Sequence, residues 1–270
     1  MNNFLEKNLI KKTLEKSNEN RHVHKYDIIP IETDKTKLPQ KASSKQNITP
    51  MYPFSMVLSG RSGSGKTQLL LNMLTRKDLL GDFYHKIIIF SPTAGDLDDT
   101  YSALKLPPEN FIKKFDSSML ETILNNRKAE IKKDGIEKVG RHNRVILIFD
   151  DMIAERKFLE SKENLMLFTL LRHYLISVVV LSQSFKKIPR SIRINSNFTC
   201  IFPSLESEIA IMIEEITPAG VSKKAFRKII DYCTEGRYDF MTINNHAHPK
   251  ERIRKNLYDI IDVSLFQKAN

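Results

Sequence analysis

Cysteine is almost missing from this 270-residue chain: there are two, Cys200 and Cys233, both set in apolar sequence. No CxxC pair occurs, which excludes a zinc ribbon and a redox motif and leaves two buried free thiols in a reducing compartment as the expectation. No apolar run approaches the roughly 20 residues needed to cross a bilayer, so no transmembrane segment is expected. Glu6 and Lys7 come early with no apolar core, so the first residues do not read as a signal peptide. No Asn-Lys-x-Asp guanine reader and no internal repeat is present. His22 with His24, and His246 with His248, have the spacing of metal pairs, yet nothing nearby completes a tetrahedral set, so all four read as surface residues.

What is there is ordinary in amount and unusual in sign. Apolar residues make up 41% and charged residues 28%, as in a soluble globular protein. The length suits one large domain or two small ones, with a core that needs no staples. The formal net charge is +11 and the pI about 9.5. Such an excess points to a polyanionic partner, nucleic acid first and an anionic membrane second; the plainer reading is a solvated basic surface.

Residues 1–50 are rich in Lys, Asn, Ser and Thr. Leu5, Leu9, Ile10 and Leu14 are spaced for one short amphipathic helix, and residues 34–49 read as a polar linker. This basic arm either touches DNA or a capsid partner or is a plain solvated tail. From Met51 the text becomes globular. Short apolar runs at 56–58, 86–90, 145–149, 177–181, 198–202 and 238–243 read as strands. Helical spacing covers 67–74, 117–133 (an exposed helix capped by Asp116), 165–175, 204–216 and 222–234. Continuous apolar strands alternating with helices predict an α/β fold with a mostly parallel central sheet flanked by helices on both faces. The last stretch, 246–270, carries Lys250, Arg252, Arg254 and Lys255 before an apolar end, and is expected to pack on or near the domain at 51–245.

Gly60-Arg61-Ser62-Gly63-Ser64-Gly65-Lys66-Thr67 matches G-x-x-x-x-G-K-[ST], between an apolar strand and a helical pattern. Backbone N–H groups must close around phosphate oxygens there; glycine supplies the dihedrals and the access, and the helix N-terminus favours the anion. Lys66 is expected to bridge the β- and γ-phosphates of ATP, and the Thr67 hydroxyl to bind Mg²⁺. Asp150 ends an apolar strand at the carboxyl edge of the sheet, where an acid holds Mg²⁺; Asp151 follows at once and can polarise the attacking water. The other reading of Asp151 is a capping or solvent-facing acid. Gln183, just past the next strand, can donate to a γ-phosphate and accept from water, or be an ordinary loop glutamine. A nucleotide kinase would share the loop but need an acceptor pocket and an Arg-rich lid. A nucleotide-gated DNA-binding or capsid-assembly scaffold would share the loop and turn over little.

The loop, the strand Val145 to Asp151, Leu171-Arg172-His173, the strand and amide from Val178 to Gln183, and Ile188-Pro189 together resemble the FtsK–HerA branch of P-loop ATPases. Within it, the chain is similar to the poxvirus-type genome-packaging ATPases of large DNA viruses, over residues 51–245. The resemblance implies a sensor strand inserted between the loop strand and the acidic strand. It also implies a homo-oligomeric ring, a hexamer, that threads double-stranded DNA into a capsid at the cytoplasmic viral assembly site, with a capsid or virion-membrane component as a further partner. Asp151 stands where many relatives carry Glu, which shortens the acid. Large domains of bacterial FtsK and the HerA barrel have no counterpart. Rings of this kind complete the site with an arginine from the neighbouring subunit; Arg172, Arg190 and Arg193 are the candidates, Arg193 first. Lys186, Lys187, Arg190 and Arg193, and the stretch Arg127, Lys128, Lys132, Lys133, Lys138, Arg141 and Arg144, are expected phosphate contacts, or solvated faces.

Overall fold

Every residue of Ser55–Ser59 (β1) and Ile176–Ser182 (β5) is buried, as are the first five of Val145–Asp150 (β4). A strand covered on both faces has no use for alternation, and this is why these segments read as unbroken apolar runs. The computed structural model describes residues 48–93, 100–113, 116–152 and 155–268. The arm helix proposed near Leu5 to Leu14, and all of the expected linker but Ile48 and Thr49, lie outside them; Thr49 is buried.

The remaining strands are Lys86–Phe90 (β2), Phe111–Ile112 (β3), Phe198–Ile201 (β6), Met241–Asn244 (β7), Ile253–Lys255 (β8) and Asp259–Ile260 (β9). They form one sheet in the order β3-β2-β4-β5-β1-β6-β7-β8-β9. Pairing is parallel from β3 to β6 and antiparallel from β6 to β9. β5 therefore lies between the loop strand β1 and the acidic strand β4, as the resemblance implied. Ser59 is opposite Ser182, and Asp150 opposite Leu181, so the carboxyl ends of the three strands form one edge.

The helices are Lys66–Thr75 (α1), Ser117–Asp134 (α2), Ile136–His142 (α3), Arg156–Leu159 (α4), Lys162–Tyr174 (α5), Arg190–Asn195 (α6), Glu206–Ile216 (α7), Lys223–Cys233 (α8) and Val263–Lys268 (α9). Alternate strand residues feed two cores. Met56, Leu58, Ile146, Ile148, Val179 and Leu181 pack with Leu70 and Leu74 of α1. On the other face, Val57, Leu147, Phe149, Val178 and Val180 pack with Leu124, Leu167, Met212 and Phe226. Asp116, Ser161 and Ser222 cap α2, α5 and α8 by accepting from backbone N–H groups of Ser118, Asn164 and Ala225.

Three expectations change here. The helix expected to be exposed, α2, buries Leu120, Leu124 and Arg127. Arg127 donates to the carbonyls of Asn143, Tyr174 and Leu175, which makes it a clasp for the C-terminal ends of α3 and α5 and not a phosphate contact. The strand read from 238 starts at Met241, because Asp239 N–H closes a turn onto Gly236 and leaves Tyr238 exposed. Residues 246–268 extend the domain's own sheet through β8 and β9, and Arg254 is 2% exposed, donating to the carbonyls of Glu251 and Leu257.

Candidate active site

Residues 60–65 turn from β1 into α1, and two of the glycines hold positive φ, Gly63 at 71° and Gly65 at 101°. Gly60 is required for a different reason: a Cβ there would stand 2.4 Å from Cβ of Phe202. Gly65 is the N-cap, and its carbonyl accepts the first helical bond from Leu69. Ser64 Oγ is buried among the described residues without a hydrogen-bond partner, a group that an oxygen-rich anion in the loop would satisfy. Arg61 and Ser62 are exposed at the loop's tip, and Thr67 follows Lys66 in the first turn of α1.

Lys66 is 8% exposed. Its ammonium donates to the carbonyls of Gly60 and Arg61, each at 2.8 Å, bonds that a phosphate entering the loop would replace. Burial pulls its pKa below the ordinary lysine range, while the carboxylates of Asp150 and Asp151 pull the other way. That opposition places both acids within electrostatic reach of the loop lysine.

Asp150 closes β4, and one oxygen is tied down: Tyr101 Oη donates to Oδ2 at 2.6 Å. Asp151 adopts φ 52°, a left-handed turn that Asp tolerates. Gln183 Nε2 lies 3.4 Å from both Asp151 oxygens, so the amide beyond β5 meets the acid beyond β4. The structure thus brings together Gly60, Gly63, Ser64, Gly65, Lys66, Asp150, Asp151 and Gln183. Among the described residues, no group of three His, Cys, Asp or Glu could hold a metal ion. The Thr67 hydroxyl and the Asp150 carboxylate are hard oxygen donors, a set that suits Mg²⁺ shared with substrate phosphates better than a thiol- or imidazole-seeking metal.

The arginine first in line does not fit a role in a neighbouring subunit. Arg193 is 8% exposed. It contacts both oxygens of Glu215 at 2.8 Å and donates to the carbonyls of Phe185 and Lys186. Arg172 lies 3.3 Å from His246 Nε2, near the start of β5 and so at the sheet edge away from the loop. His246 is half-buried, and burial together with the Arg172 charge holds it below the usual imidazole range. Arg190 is exposed, with one loose 3.6 Å contact to Glu215. In the basic stretch, Lys138, Arg141 and Arg144 are engaged with Asp134, Glu137 and the Phe83 carbonyl; Lys128, Lys132 and Lys133 stay at the surface.

Sequence reasoning missed Tyr101 and an aromatic group beside the loop. A cleft of about 840 Å³ runs from Gly63 and Gly65 along α1, with Phe202, Tyr238, Phe240 and Tyr258 on its opposite wall. A tyrosine's need for a polar partner when buried is the only signal Tyr101 offered. The aromatic spacing 238, 240 and 258 offered none, because β7 and β8 bring those residues together only in the fold.

The family model described as Poxvirus A32 protein matches residues 42–268. A DNA packaging protein of vaccinia virus, OPG160, is 30% identical over 188 residues, 68% of this chain. The same-named monkeypox virus protein is 29% identical over 187 residues, covering 68% of this chain and 59% of its own length. The chain spans 65% of the vaccinia protein's length. Among solved structures, the genome packaging NTPase B204 from Sulfolobus turreted icosahedral virus 2, in complex with ATP-gammaS, superposes with a TM-score of 0.53 at 16% identity, over 77% of this chain and 98% of that one. The B204 DNA-packaging ATPase from Sulfolobus turreted icosahedral virus gives 0.56 at 15% identity, over 78% and 98%. At such identity these structures show the fold alone. A family match that starts before β1 and ends with α9 takes in the whole sheet and the whole site, and the chain belongs to the poxvirus A32 protein family.

Proposed function

We propose that this chain is a Mg²⁺-dependent ATPase that drives double-stranded DNA into a viral capsid, working as a homo-oligomeric ring at the viral assembly site. One observation carries the chemistry: Asp151 and Gln183, from adjacent strand ends, meet beside a phosphate loop whose lysine feels both acids. The packaging role is supported by the name of the vaccinia relative and by the packaging NTPase with the same fold.

The loop amides and Lys66 hold the triphosphate, and Ser64 Oγ gains the partner it lacks. Thr67 and Asp150 would hold Mg²⁺, which would neutralise charge on the triphosphate. Asp151 takes a proton from the water that attacks the γ-phosphorus as the bond to the β-γ bridging oxygen breaks, giving ADP and phosphate. Gln183 orients that water and reports the γ-phosphate to the segment after β5, which carries the exposed Lys186 and Lys187. Those lysines, with Lys128, Lys132 and Lys133, are the sequence-independent phosphate contacts that a motor on any DNA requires. Arg190 is the arginine free enough to enter a neighbour's site.

The test is ATP turnover by the purified chain with and without long double-stranded DNA, beside Lys66→Ala and Asp151→Asn. Stimulation by DNA, abolished by both substitutions, is expected. Turnover indifferent to DNA would point instead to phosphoryl transfer onto a small acceptor, and nucleotide binding without turnover to a scaffold.

A further inference from the structure

Beyond the loop residues at its start, the cleft is lined by aromatic groups that neither phosphate nor Mg²⁺ would use. Phe202 and Phe240 stack with centroids 4.8 Å apart and planes 29° apart. Tyr238 Cδ1 stands 3.6 Å from where a Gly65 Cβ would be, so its ring borders the loop itself. Tyr238 and Tyr258 are 58% and 59% exposed, a large aromatic area that packing does not account for. Arg237 lies over the Tyr238 ring at 5.2 Å. The polar groups of the cleft outside the loop are engaged or solvated: Arg76 and Asp78 pair with each other at 2.7 Å. Asn256 accepts from the Phe240 N–H and donates to Asp239, so its amide holds β7 to β8. Gln68 and Asn72 lie on the exposed face of α1, in competition with water.

We propose that this cleft is the nucleobase site, holding the base by stacking on Tyr238 and Tyr258 and not by hydrogen bonds to its edge, so that adenine and guanine nucleotides are accepted alike. The proposal rests on the reading of the loop as a triphosphate site: a nucleotide anchored at Gly63 to Thr67 extends its sugar and base along the one wall that is aromatic. A π-face is common to every base, whereas discrimination needs buried donors and acceptors that pair with one base only. The residues after 245 then have a task in nucleotide binding, since Asn256, Leu257 and Tyr258, in the turn between β8 and β9, line part of the cleft.

The experiment is calorimetric titration of the purified full chain with ADP, GDP and inorganic tripolyphosphate, beside Tyr238→Ala, Tyr238→Phe and Lys66→Ala. ADP and GDP are expected to bind the wild type within about tenfold of each other. Tyr238→Ala should weaken both by about tenfold, a typical loss for one base–aromatic stack, and leave the tripolyphosphate Kd unchanged; Tyr238→Phe should bind like the wild type. Since Tyr238 is exposed, the thermal midpoint of Tyr238→Ala serves as the folding check. ADP binding by Tyr238→Ala equal to wild type, an equal loss of tripolyphosphate, or a thousandfold-scale preference for one base overturns the proposal. Tripolyphosphate that binds neither better nor worse after Lys66→Ala overturns the triphosphate reading beneath it, and Tyr238 plays no part in that outcome.

Discussion

Replacing Tyr101 by Phe removes one oxygen and nothing else from the site. The hydroxyl donates to Asp150 Oδ2 at 2.6 Å from a residue that is 2% exposed, so its ring stays packed in the variant. A hydrogen bond to a charged group contributes about 1.5–3 kcal/mol net. Asp150 is only half-buried, and water can take part of the vacated place, so we expect a stability loss near 1 kcal/mol, or about 2–4 °C in Tm for a domain of this size. The larger effect falls on the metal. Tyr101 fixes the orientation of the carboxylate that would hold Mg²⁺; without that bond the carboxylate can rotate, and loss of such an orienting partner costs about 10–100-fold in metal affinity or activity. The assay is ATP turnover against Mg²⁺ concentration at saturating ATP. The half-saturating Mg²⁺ should rise about tenfold, with the maximum rate recovered at high Mg²⁺. An unchanged Mg²⁺ dependence in a folded Tyr101→Phe protein would refute the assignment of Asp150 as the acid that Tyr101 orients toward the metal.

Two arginines separate structural from functional roles. Arg193→Ala should cost about 3 kcal/mol, the lower end of the range for breaking a buried pair, because it takes the close partner from a largely buried Glu215 and leaves only the loose Arg190 contact, and should show as a clear fall in Tm. Arg190→Ala should leave Tm unchanged and abolish DNA-stimulated turnover, and mixing it with Lys66→Ala subunits should restore part of that activity through mixed interfaces. Gly65→Ala places a Cβ at φ 101°, strained by about 1–3 kcal/mol, and should weaken tripolyphosphate binding measured by calorimetry. Burial pushes both Cys200 and Cys233 up to about 12, so a thiol reagent at pH 8 should label neither until the protein is unfolded.

The fold was legible where burial is complete. β2 coincides with the run read from Lys86 to Phe90, β4 is longer than its run by one residue at one end and β5 by one residue at each end, because strands covered on both faces announce themselves as unbroken apolar text. The two-residue strands β3 and β9 and the short helices α3 and α6 carry too few residues to show any period. The site was legible in its loop and acids, which are contiguous in sequence and demanded by chemistry. It was not legible where tertiary contact decides. Arg193 reads like any basic residue until Glu215, 22 residues on, closes over it. Arg127 looks solvated until three carbonyls surround it. Tyr101 reaches Asp150 across 49 residues, and Tyr238 reaches Gly65 across the width of β6 and β7.

In the proposed function, hydrolysis at this site moves the protein along duplex DNA. Displacement of a labelled third strand annealed far from a duplex end measures that movement directly. Displacement is expected to require ATP and Mg²⁺, to fall steeply with salt, and to be lost in Asp151→Asn. DNA-stimulated hydrolysis with the third strand left in place would contradict that function.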